Sequence, residues 1–121
     1  MKTVDLNFTK LEIHDCYSIV RTCEGVDVNL ADHERMREAV EREIDGPYGL
    51  IFDWVNSYSV NPEVIEAIRI NPRIACYAVV VYRDSTATSL ASAAEAIGKP
   101  GTFCSNLNEA QQWVRETLGR L

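Results

Sequence analysis

The segment Ile74 to Tyr82, Ile-Ala-Cys-Tyr-Ala-Val-Val-Val-Tyr, constrains this chain more than any other. It carries no charge and is β-branched at Val79, Val80 and Val81, so it reads as a strand buried on both faces, a central strand of a parallel sheet. Leu50, Ile51, Phe52 and Val55 form a second, shorter run of the same kind. Between the two lies a helical signal. Asn61 caps, Pro62 takes the first position, Val64, Ile65 and Ile68 share one face, and Asn71 with Pro72 ends the helix. A helix between two buried strands predicts a right-handed crossover and parallel pairing.

The same alternation continues on either side. Leu11 to Val28 reads as two or three short strands: Leu11 and Ile13 alternate with polar neighbours, Tyr17 to Thr22 is rich in β-formers, and Gly25 marks a turn. Asn29 caps a first helix with Asp32 and Glu34 in its opening turn, Met36, Val40 and Ile44 as its buried stripe, and Gly46-Pro47 as its stop. Tyr48, with Pro47, fixes the turn into the middle strand. Thr86 to Ile97 is predicted helical, ending at Gly98 and Pro100, and Thr102 to Cys104 makes a last short strand. Asn106 and Glu109 have the spacing of a capping box for a final helix that offers Leu107, Ala110, Trp113, Val114 and Leu118 to the core. The expected architecture is one α/β domain over residues 1–121, a mixed sheet with an N-terminal antiparallel meander and parallel strands joined by crossover helices.

Composition bounds the function. At 121 residues and 46% hydrophobic content, the chain can bury a core without a disulfide or metal staple. Acidic residues outnumber basic ones 18 to 12, for a formal charge of -6, which disfavours nucleic acid and anionic lipid as partners. The tightest cationic cluster, Arg35 with Arg37, is interleaved with Glu34, Glu38, Glu41 and Glu43, as on a solvated helix face. Met1 to Lys10 has no apolar leader core, and no stretch is long enough to span a bilayer, so a cytoplasmic location is expected. Cys16, Cys23, Cys76 and Cys104 form no Cys-x-x-Cys pair and read as small hydrophobes.

The order of elements, with Gly49-Leu50-Ile51-Phe52-Asp53 before a polar loop and helix, Ala78-Val79-Val80-Val81, and Phe103 followed by Glu109-Ala110-Gln111-Gln112-Trp113-Val114, resembles the STAS superfamily. Within it, the chain is similar to small stand-alone bacterial proteins of the anti-sigma-factor-antagonist type, a group also likened to lipid-carrying CRAL-TRIO domains. The likeness spans roughly residues 10 to 118 and rests on element order rather than on a diagnostic motif. It implies a non-catalytic module that binds a partner protein or a small anion. In antagonist members a serine at the start of the helix after the middle strand is phosphorylated. Asn61 stands at that position here, with Ser57 and Ser59 nearby, so the phospho-switch does not carry over directly.

In an open α/β sheet, ligands sit outside the carboxyl ends of the strands, where helix amino ends converge. Ser57, Tyr58, Ser59, Asn61, Arg83, Ser85, Thr86 and the Ser105-Asn106 turn fall there. Arg83, the single cation in these loops, could hold an anion or carboxylate with Ser85 and Thr86, although these residue types also serve simply as helix caps. Tyr58 is either an exposed anchor for a partner or a ring folded back over its loop. The helix from Thr86 to Ile97 carries one charge, Glu95, among Ala87, Ser89, Ala91, Ser92, Ala93, Ala94 and Ala96. This suits a face covered by a second copy of the chain, or a close fit to its own sheet.

Catalytic signals are weak. His14 and His33 are the two histidines, His33 reading as an exposed residue of a charged helix, and no serine lies in a Gly-x-Ser-x-Gly elbow. His14, Asp15, Cys16 and Cys23 match no zinc spacing, and no dinucleotide or phosphate-loop motif occurs, so no cofactor or metal is expected. Asp53, at a strand end, reads as an acceptor of loop hydrogen bonds. The leading expectation is a regulatory or protein-interaction module; the alternative is a small-molecule or lipid carrier whose helices lift from the sheet over an apolar pocket.

Overall fold

The computed structural model describes residues 1–120. Six strands form one mixed sheet in the order β1 (Lys2–Asp5), β2 (Thr9–Ile13), β3 (Tyr17–Thr22), β5 (Tyr48–Asp53), β7 (Ile74–Val80), β8 (Gly101–Cys104). The first two pairings are antiparallel and the last three parallel, so the expected meander followed by crossovers is what the chain forms. The crossovers run through α1 (Leu30–Glu43), α2 (Pro62–Ile70) and α3 (Asp84–Ile97), and α4 (Leu107–Gly119) closes the chain. A two-residue parallel pair, β4 (Asp27–Val28) with β6 (Ser59–Val60), sits apart from the main sheet.

Three local features differ from the sequence reading. β1 begins at Lys2, where a single apolar residue, Val4, leaves no alternation to detect on a short edge strand. β6 interrupts the polar loop after β5 and is tied by Ser59 N donating to Val26 O at 3.0 Å and Asn61 N to Val28 O at 2.9 Å. The middle strand ends at Asp53 rather than Val55, which is exposed. Asn29 makes the full capping box, its Oδ1 accepting from Asp32 N at 2.9 Å and its N–H donating to the Asp32 carboxylate at 3.3 Å. Asn106 accepts from Glu109 N at 2.9 Å, but the return bond comes from its own Nδ2.

Period-two alternation along β7 divides the core. Cys76, Ala78 and Val80 face α4 with Ile19, Ile51, Ala110 and Val114, whereas Tyr77 and Val79 face α1, α2 and α3 with Val20, Leu50, Met36, Val40, Val64 and Ile68. On the α4 face Gly49 is required by contact. A Cβ there would lie 2.5 Å from Val114 Cγ1 and 3.2 Å from Cys76 Sγ, so α4 lies directly on the backbone of β5.

The other face is built differently. α3 packs along α2. The Tyr77 ring covers Gly101, where any Cβ would overlap it, and its hydroxyl donates to Ala94 O of α3 at 3.2 Å. Tyr77 is thus a strut between the sheet and α3. None of the helices described is long and apolar enough to cross a membrane.

Candidate functional site

The gap beneath α3 is a cavity of about 330 Å³ between the sheet and the three crossover helices. The sheet contributes Val20, Phe52, Tyr77, Val79 and Phe103, the helices contribute Met36, Val64, Ile65, Ile68, Leu90 and Ile97, and Trp54 and Tyr58 close one side. It exists because α3 presents Ala93 and Ala94 to the space, with the exposed Ser89 at its rim, residues too small to fill what Tyr77 holds open. The small-residue run thereby finds an explanation on its inner side. A site of this size and lining is of the kind that takes a small organic molecule.

Two polar atoms in the cavity wall have no hydrogen-bond partner, His33 Nε2 and Tyr58 Oη. His33 corrects the sequence reading: it is 2% exposed, not a surface residue. With Met36 and Val40 it stands at i, i+3 and i+7, so the inner stripe of α1 begins one turn earlier than its apolar residues indicate. Burial lowers its pKa, Glu34 and Glu41 oppose the shift and Arg37 adds to it, so the ring is neutral near pH 7.

Tyr58 is likewise not an exposed anchor. Its ring stacks on Trp54 at 3.9 Å between centroids and 18° between planes, so the folded-back alternative holds, and the half-buried Trp54 belongs to the cavity wall. Burial raises the Tyr58 phenol pKa. The Thr22 hydroxyl approaches the phenol and works against that rise, but it falls outside hydrogen-bond geometry with Tyr58 Oη and pairs with the Thr9 hydroxyl at 3.3 Å.

The carboxyl-edge residues separate into groups. Ser57, Arg83 and Thr86 meet around a second depression of about 110 Å³, with Glu24, Asn56 and Tyr82. Arg83 is exposed, and its side chain is in no ion pair described here; the Ser57 amide donates to Glu24 Oε2 at 2.5 Å. Ser59 instead lines the apolar cavity and donates to Asp27 Oδ1 at 2.8 Å. Asn61 is occupied as the α2 cap, accepting from Glu63 N at 3.0 Å. Ser85 lies in the first turn of α3, its carbonyl accepting from Ser89 Oγ at 2.9 Å, and Ser105 donates to Glu109 at 2.8 Å. The α3 N-cap is Arg83, which makes no side-chain capping bond, so neither Ser85 nor Thr86 acts as the cap.

Asp53 is buried. It accepts from Arg21 Nε of β3 at 2.7 Å and, as expected of a loop acceptor, from Tyr82 Oη in the loop after β7 at 2.6 Å. Burial and the bond to Asp53 push the Tyr82 phenol up to about 12. Arg21 also donates to Glu12 at 3.1 Å; burial works against the Glu12 carboxylate, but Arg21 and His14 together hold its pKa below the usual range. His14 is engaged with Glu12 at 3.2 Å and stacks on Tyr17 at 4.6 Å. Among the described residues no group of three or more His, Cys, Asp or Glu side chains is placed to hold a metal ion. The four cysteines are free thiols, Cys76 and Cys104 buried, and burial pushes Cys76 up to about 11.

No family model matches the sequence, and no curated protein matches it. A solved structure does match in shape: an uncharacterised protein of the DUF3478 family from Shewanella loihica PV-4, described as having a SpoIIAA-like fold. The two share 12% identity and superpose with a TM-score of 0.64 over 94% of this chain and 99% of that one. The antiparallel start, the parallel strands β3, β5, β7 and β8 and the four helices thus make up the SpoIIAA-like, STAS-type fold.

Proposed function

We propose that this chain is a non-catalytic binding domain of STAS-like fold that takes a small apolar molecule between its sheet and α1, α2 and α3. The observation that carries the reading is the cavity of about 330 Å³ in a chain whose opposite sheet face is packed without a gap at Gly49. An apolar, partly open space of that size leaves side chains without contacts that larger residues on α3 could supply. Binding is the use that offsets the loss. The reading favours the carrier alternative over the interaction module as the primary role.

Native mass spectrometry of the protein purified from its own cells tests this. A co-purifying small organic molecule at one per chain is expected, absent from Ala93→Phe, in which a ring enters the cavity. A bare chain in both preparations, together with failure to take up added naphthalene, contradicts it.

An interaction role has its own support in the meeting of Ser57, Arg83 and Thr86 at one depression beside the exposed Val55 and Tyr82. The N-terminal end of α3 forms part of that depression while its inner face forms part of the cavity, so occupancy of one could be read out at the other, either by a partner protein or by a second copy of the chain along α3. Capture from lysate should then retain a protein that Arg83→Ala with Thr86→Ala loses.

A further inference from the structure

The cavity wall has an asymmetry in its polar atoms. Thr9 and Thr22 are paired, Ser59 is bonded to Asp27, Ser89 to the Ser85 carbonyl, and the Tyr77 hydroxyl to Ala94. Among the described residues, His33 Nε2 and Tyr58 Oη have no hydrogen-bond partner. Buried polar atoms are nearly always paired, and leaving one unpaired is destabilising. Among the described residues, no Asp, Glu, Lys or Arg lines the space.

We infer that the cavity is specific for a compact, uncharged alcohol or phenol, whose apolar body fills the space beneath α3 and whose hydroxyl pairs with His33 Nε2 and Tyr58 Oη. This rests on the cavity being a binding site. A hydroxyl fits because it both donates and accepts, matching an imidazole nitrogen that takes either role by tautomer and a phenol that takes either role by rotation. A plain hydrocarbon would leave both protein atoms unsatisfied. A carboxylate would need a buried cation, and burial disfavours the charged form of His33. The volume, near the lower end for organic-ligand sites, suits a fused-ring or short-chain compound.

The test is calorimetric titration at pH 7.5 with 2-naphthol and with naphthalene, a pair that differs by one oxygen, against the wild type, His33→Phe and Tyr58→Phe. Because 2-naphthol gives up a hydrogen bond to water on entering, a preference for it requires a partner inside. The wild type is expected to bind 2-naphthol at least about tenfold more tightly than naphthalene, a difference of about 1.4 kcal/mol. His33→Phe should reduce the ratio to about twofold or less, and Tyr58→Phe to about a third of the wild-type ratio, with naphthalene affinity unchanged. Tyr58→Phe removes only an unpaired oxygen, so it remains decisive if His33→Phe fails to fold. Equal wild-type affinities, or a preference that survives in the folded variants, would overturn the hydroxyl assignment while leaving the cavity reading intact. Binding of neither compound would overturn both.

Discussion

The two faces of one sheet have been built to opposite specifications. On the α4 side, Gly49, Cys76 and Ala78 are small so that Ala110 and Val114 can sit close to the strands, with Val114 in direct contact at Gly49. On the α1–α3 side, small residues on α3 face Phe52, Tyr77 and Phe103 of the sheet without closing on them, the Tyr77 hydroxyl reaches Ala94 of the helix, and the space remains. In the first case smallness permits contact; in the second it preserves a void. The difference separates a face that holds the fold together from a face free to accept another molecule.

Breaking the packed face should have the largest effect. Gly49→Val drives its Cβ into Val114 and should cost on the order of 3 kcal/mol or more, read as a drop in the denaturation midpoint. A clear sharpening of the comparison comes from two neighbours on β7 that point to opposite faces. Val80→Ala opens a new hole beneath α4 and should cost about 2–3 kcal/mol, whereas Val79→Ala enlarges a space that already exists and should cost about 1. Equal losses would mean the cavity closes in solution.

A smaller effect distinguishes the faces by pH. Because burial holds the folded-state pKa of His33 below the ordinary value of 6.5, the unfolded chain binds the proton more readily. The stability attached to the neutral ring is therefore complete above about pH 6.5 and is lost as pH falls below that value toward the folded pKa. Glu34 and Glu41 oppose this shift and Arg37 adds to it. Comparing urea midpoints of wild type and His33→Phe from pH 7.5 to 5 should show the wild type losing stability over that range and the variant losing less.

Much of the architecture was legible because long buried strands and capped helices leave strong local patterns. β5, β7, the Asn29 and Asn61 caps and the α4 stripe all follow from runs, periods and punctuation in a few adjacent residues. β1 and β6 escaped because strands of four and two residues that carry a single apolar side chain each leave no alternation to detect. The site was harder to read for a related reason. A cavity is a mismatch between distant elements, here α3 against β7 and β8, and no local pattern encodes it. His33 was hidden by its charged neighbours, although its spacing to Met36 and Val40 was a usable signal. Tyr58 sits between two serines in a polar loop, and only the fold shows it turned back onto Trp54.

The most direct measurement of the central claim follows methyl resonances on both faces while naphthalene is titrated into the uniformly labelled protein. The account predicts saturable, one-to-one shifts at Val64, Ile65, Ile68, Leu90 and Ile97, around the cavity, with Ile19, Ile51 and Val114 beneath α4 unmoved. Shifts of equal size on both faces, or none on either, would contradict it.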